Sequence, residues 1–440
     1  MPLAQLFGRA RRGALILALW TVPIAGIAAQ EALPVTAIGD YLSACHSDGG
    51  AFWGRSLCGP ILTVDPGSRQ ATASELPPGG EFRKVGAVYV GVVPPGIPIA
   101  NTSLTWAGRD WAFVLEPLPE DRTIRLALLL HESYHRIQDS LGLGGGDPLN
   151  AHLDERDGRF WLRMELRAMA AALRDSGASA LAATRDAMRF RAYRYGRYPG
   201  SDSLETALEL HEGLAEYTGV ALALSAMGQP VSRAASLLDA FQERPSFVRA
   251  LGYGTGPGLG LLLDRYAPGW RRRVAQNGFA TQLAVAVQVP LDSVPGEVAT
   301  MLEAAAYGAS EVAAEEDRRE AERQQRLMGY RASMVTGPVL VLEQESLSRA
   351  FNPNTLIPLA GEGTVYPTGS FDAAWGSLEV QEGGALVGPD YRMLRVPLPA
   401  ERSGTTVTGK GWKLELAPGW HLAPGVRSGD LTVRADSAVR

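Results

Sequence analysis

The sequence predicts an α+β protein with a β-rich N-terminal region, a mainly helical core and a small all-β C-terminal domain. Three observations carry this. Between Pro60 and Leu118, short β-branched and aromatic runs are broken by Pro and Gly. From Glu120 to about residue 330, apolar residues recur at helical spacing. Beyond about Thr336, short β runs separated by Gly and Pro turns return. The expected boundaries are 1–29 for a leader, 30–119 for the β-rich part, 120–335 for the helical core and 336–440 for the β domain.

The first element is an export leader. Arg9, Arg11 and Arg12 precede an apolar run from Gly13 to Ala25, and Gly26-Ile27-Ala28-Ala29 offers small residues for cleavage. The run is short for a membrane span, and no later stretch approaches 18 uninterrupted apolar residues. The expectation is a secreted or periplasmic protein with no stable membrane insertion after cleavage. An uncleaved anchor is the alternative. Cys45 and Cys58, the two cysteines of the chain, then sit in an oxidising compartment and are expected to pair. Metal binding by this pair with His46 is the weaker alternative. A net charge of −5 argues against a nucleic-acid partner.

Residues 30 to 60 read as a short helix and a Gly-rich turn. Ile61–Val64, Val85–Val90 and Trp111–Leu115 read as strands. Pro117-Leu118-Pro119 stops the last of them, and Glu120-Asp121 opens a helix with acidic residues at its positive end. That helix is predicted to run to Leu141 before Gly142. It carries His131-Glu132-Ser133-Tyr134-His135, a His-Glu-x-x-His motif in a chain with six histidines in all. Histidines four apart share a helix face one turn apart, so both imidazoles can grip one Zn²⁺ while Glu132 reaches a water on that metal.

Further helices are predicted over Leu153–Arg174, Ala180–Tyr195 and Leu204–Met227. In the second, Arg185, Arg189, Arg191 and Arg194 interleave with Tyr193 and Tyr195, which reads as a solvated face and not as an RNA platform. Glu311–Met328 pairs Glu315 with Arg319 and Glu322 with Arg326 at the i,i+4 spacing, and reads as an exposed linking helix. His421, beside Trp420 in the β domain, reads as packing.

A catalytic zinc takes three protein ligands and keeps one open position. In Glu209-Leu210-His211-Glu212-Gly213-Leu214-Ala215-Glu216-Tyr217, Glu212 and Glu216 are four apart on an apolar helix, where carboxylates are costly unless a cation or donors satisfy them. His152, Asp154, Glu155, Asp157 and Glu165 are competing third ligands. His211, about 100° round the helix from Glu212, reads as a wall residue.

These two segments resemble the gluzincins, the superfamily of thermolysin-like and aminopeptidase N-like zinc peptidases. His211-Glu212-Gly213-Leu214-Ala215 is similar to their Asn-Glu-Gly-Phe-Ala-like segment, with histidine for asparagine. The resemblance implies a zincin-like catalytic core with one Zn²⁺ on His131, His135 and Glu212, and Glu132 as general base. It also implies that Glu216 orients His131. Tyr253 in Tyr253-Gly254-Thr255-Gly256 is similar to the family's oxyanion tyrosine, with simple packing as the alternative. Trp106–Leu115 resembles the edge strand that pairs with substrate in such enzymes. The separation of 77 residues between His135 and Glu212 (212 − 135) is longer than in thermolysin-like or aminopeptidase-like members, and no segment resembling their free-N-terminus reader is present. The expectation is an exported zinc metallopeptidase acting on a peptide or protein. The alternatives are a non-catalytic zinc-site or scaffold protein and a hydrolase of non-peptide amides.

Overall fold

The computed structural model describes residues 24–343, 348–352 and 355–436, with side chains from residue 33 onward. Most of the expected leader, residues 1–23, thus lies outside the described residues. Helices account for 47% and strands for 21%, with the helical middle flanked by N-terminal and C-terminal sheets, so the fold class is α+β as expected. Among the described residues no helix is long and apolar enough to cross a membrane. The chain divides into two compact units after Asp139.

The first unit opens with helix α1 (Ile24–Asp48) and closes with α2 (Arg122–Gln138). Between them lie β1 (Ile61–Val64), β2 (Gln70–Ala73), β3 (Glu81–Val85), β4 (Val88–Val92), β5 (Thr102–Trp106) and β6 (Arg109–Leu115). They form one sheet in the order β3-β4-β2-β1-β6-β5. β1 and β6 are parallel, with Leu62 opposite Phe113, and the other pairs are antiparallel. Leu62, Val64, Ala73, Trp106, Trp111 and Phe113 pack into its core.

Two expected strands prove to be hairpins. Gly86, at φ +61°, reverses the chain within Val85–Val90. Ala107 and Gly108, at φ +50° and +79°, form the two-residue turn inside Trp106–Leu115, because positive φ at both central residues matches the twist of the flanking strands. β6 is therefore flanked on both sides and cannot accept an added strand. The free edges of this sheet belong to β5 and β3.

The second unit contains α3 (Arg156–Arg174), α4 (Gly177–Arg197), α5 (Ser201–Leu208), α6 (Leu214–Ala226), α7 (Arg233–Phe241), α8 (Leu251–Tyr266), α9 (Val274–Asn277), α10 (Phe279–Val287), α11 (Glu297–Ala305) and α12 (Ala309–Arg331). A seven-stranded and a six-stranded sheet follow. Alternate residues of both, including Leu340, Leu342, Phe371, Leu378, Leu394, Val407 and Leu414, share one core with Trp375 and Trp412.

Two helices differ from expectation. α4 is not a solvated face, because Arg191 and Arg194 are fully buried on carboxylates. α12 is exposed over most of its length, as expected, but one side of it docks on α3. Its Glu316 is fully buried and accepts from Arg159 at 2.6 Å and Arg163 at 3.0 Å of α3. Near its end, Leu327 and Tyr330 pack on Met334, Leu359, Val365 and Leu386.

Candidate metal centre

α2 begins where Asp121 accepts from the backbone N–H groups of Thr123 (2.9 Å) and Ile124 (3.0 Å), satisfying two of the amides that a helix start leaves open. Leu126, Leu129 and Leu130 anchor it in the core. Gly142, at φ +68°, follows its last short turn. The helix thus holds the motif on a buried surface, and His131 and Glu132 are only 3% and 4% exposed.

The two imidazoles of the motif face one another, with Nε2 to Nε2 at 3.1 Å. His135 Nδ1 lies 2.8 Å from Gln138 Oε1. With that oxygen as acceptor, Nδ1 carries the proton and the lone pair of His135 sits on Nε2, aimed at His131. Two ring nitrogens this close repel unless a proton or a metal ion lies between them. Tetrahedral zinc at about 2.0–2.1 Å from each nitrogen sets them roughly 3.3 Å apart, so the pair fits that ion. Gln138 was missed from the sequence. Its signal was its place three residues beyond His135, one turn along the same face.

The Cys45–Cys58 loop braces this helix. The disulfide spans a Cα–Cα distance of 5.2 Å. Within the loop Asp48 accepts from the amides of Gly50 and Phe52, and the Leu57 carbonyl accepts from Arg136 at 2.8 Å and from Tyr41 at 2.7 Å. Trp53 packs on Tyr134 at 5.4 Å. Both sulfurs are spent on the disulfide, so Cys45, Cys58 and His46 offer no thiolate site.

In the second unit, the predicted helix over Leu204–Met227 is interrupted. α5 and α6 are joined by a wide π turn, Glu209–Gly213, in which the Leu214 N–H donates to the Glu209 carbonyl five residues back. One extra residue in a turn re-aims the side chains beyond it, and such bulges occur often at functional sites. Glu212 lies inside the turn, its side chain 15% exposed. His211 does not point away from it as expected, and its Nε2 stands 3.4 Å from Glu212 Oε1. Glu216 lies in the first turn of α6.

The competing ligands are all engaged inside this unit. His152 Nε2 meets Glu205 Oε1 at 2.7 Å. Asp154 accepts from Arg323, Glu155 from Tyr198 and Asp157 from Arg197. Glu165 lies 2.7 Å from both Arg191 and Arg194. Tyr253 sits in the first turn of α8, with the Arg244 guanidinium 5.6 Å from its ring centre. α8 stays helical despite five glycines and Pro257 because Gly252 and Gly256 let its backbone close on the π turn, as Gly260 does on the Tyr217 ring.

Beside the turn lies a buried ionic network that sequence reasoning also missed. Arg194 donates to both oxygens of Glu205 (2.8 and 2.7 Å), and Arg191 to both oxygens of Glu209 (3.0 and 2.6 Å) and to Glu165. Thr255 Oγ1 adds a bond to Glu209 at 2.7 Å. Burial opposes ionisation of Glu205, yet the Arg194 charge overrides it and holds the carboxyl far below its ordinary value. Burial prevails at Glu209, whose carboxyl is raised despite Arg191. The available signal was Glu205 and Glu209 at i,i+4 set against Arg191 and Arg194 at i,i+3.

No protein-family model, no curated protein and no solved structure matches the chain.

Proposed function

We propose that this protein is an exported zinc-dependent hydrolase of peptide bonds, in which His131, His135 and Glu212 hold one Zn²⁺. The observation that carries the proposal is the pair of facing Nε2 atoms 3.1 Å apart, on the buried His131 and the half-buried His135, with the buried Glu132 between them in sequence. The ring–amide bond to Gln138 supports it by presetting His135, as partners of metal-bound imidazoles do. Glu212 is favoured by the resemblance of His211-Glu212-Gly213-Leu214-Ala215 to the segment that carries the third ligand in gluzincins. The disulfide agrees with an oxidising compartment.

Bound zinc supplies Lewis acidity, polarising a carbonyl and acidifying water. The chain's own groups do the rest. Glu132, on a nearly water-free helix face, takes the proton of the attacking water and returns it to the leaving amine. Glu216 orients His131, and Tyr253 donates its phenolic hydrogen to the oxygen that gains charge. The substrate is a peptide or protein.

Glu132→Gln tests this, because it keeps the shape and removes the base. Peptide hydrolysis should fall by roughly 10²–10⁴-fold with one zinc retained by metal analysis. A fully active Glu132→Gln protein would overturn the mechanism.

A further inference from the structure

We infer that Arg191 is a positioning residue for Glu212, acting through Glu209 and the π turn. The inference rests on Glu212 being a metal ligand. Glu209 is the residue whose carbonyl closes the wide turn onto Leu214. In an uninterrupted α-helix that carbonyl would accept from Gly213; the extra residue makes each step inside the wider turn, Glu212 included, rotate by less than the usual ~100°. Holding the wider turn therefore decides where Glu212 points.

Two contacts hold it. On one side, Arg191 grips both oxygens of Glu209, a planar fork-to-fork pairing that fixes orientation as well as distance, and Thr255 of α8 binds the same carboxylate. Arg191 is itself fixed by Glu165 of α3 and by Tyr195, whose hydroxyl accepts from it at 3.1 Å. On the other side, α8 touches the turn backbone to backbone. A Cβ on Gly252 would fall 2.9 Å from Gly213 N. The turn is thus held by a buried ion pair at Glu209, three residues before the proposed ligand, and by a glycine contact at Gly213, one residue after it.

The cost of this arrangement argues for a role beyond folding. Three fully buried carboxylates, Glu165, Glu205 and Glu209, meet two buried guanidiniums. Well-packed apolar residues commonly match or exceed buried ion pairs in stability. The network's geometric product is a bidentate grip at the turn's first residue.

The test is zinc titration of the metal-free protein by calorimetry, with thermal unfolding alongside. Glu209→Gln keeps the shape and weakens the grip, and Arg191→Lys keeps the charge and loses the fork. Each should weaken zinc binding by roughly 10–100-fold, the loss typical of groups that orient ligands, while still unfolding cooperatively. Arg159→Lys is the control. It breaks a buried pair outside the turn, Arg159 with Glu316 (2.6 Å), and should lower stability without changing zinc affinity. Wild-type affinity in Glu209→Gln and Arg191→Lys overturns the inference, as does an equal loss in Arg159→Lys. If Arg191→Lys does not fold, Glu209→Gln decides alone. Should the wild type take up no zinc, or Glu212→Ala bind it normally, the ligand assignment fails and this inference with it. Loss in Glu212→Ala without loss in Glu209→Gln removes only the positioning role.

Discussion

Gly256→Ala concentrates the packing argument in one methyl group. A Cβ at residue 256 would lie 2.5 Å from Gly213 Cα and 2.7 Å from its carbonyl carbon. Carbon atoms in contact prefer about 3.5–4.0 Å, so α8 and the π turn must part by about 1 Å. Both partners are backbone and cannot rotate away. Overpacking of this kind costs about 1–3 kcal/mol. At about 2–4 °C per kcal/mol for a large domain, melting should fall by about 2–12 °C. Gly329→Ala supplies the opposite sign. It lies inside α12 with open space around its would-be Cβ, so the substitution should stabilise by about 0.5–1 kcal/mol. Scanning calorimetry of both variants is the assay. A Gly256→Ala protein that melts at or above wild type would refute the close contact between α8 and the turn.

Two further outcomes follow from the first unit. Replacing Cys45 and Cys58 together by serine should cost about 3 kcal/mol in urea denaturation, the value expected for a closed loop of this size, and an unchanged midpoint would contradict the bracing role of the loop. Tyr134→Phe removes a buried hydroxyl that finds no hydrogen-bond partner among the described residues, so it should stabilise by about 1 kcal/mol at pH 7. Burial raises the Tyr134 phenol above its ordinary value. With a raised folded value the phenol leaves stability unchanged below about pH 10 and lowers it as pH rises further, because the buried group resists ionising while the unfolded one does not. Tyr134→Phe should therefore lose less stability than wild type between pH 9 and pH 11, and a steeper loss would show that the phenol is not the titrating group.

Much of the fold was legible because its signals are local. Asp121 and Gly142 bracket the motif helix, and the spacing of His131 and His135 alone implies facing rings. The two cysteines left one disulfide to form. What was missed depends on contacts distant in sequence. Whether Arg191 and Arg194 face water or Glu165, 26 residues from Arg191, cannot be read from the periodicity of α4, since an arginine-rich face looks the same in both cases. The same holds for Glu316 on α12, 157 residues from Arg159. The π turn was hidden because one extra backbone residue leaves no mark in composition. The hairpins at Gly86 and Ala107-Gly108 were legible in principle, but the flanking β runs masked their turns.

The most direct test of the central claim is a zinc titration of the metal-free protein and three variants. The account predicts one tight site in the wild type and in Glu132→Gln, and loss of that site in His135→Ala and Glu212→Ala. Wild-type zinc binding by Glu212→Ala would contradict it.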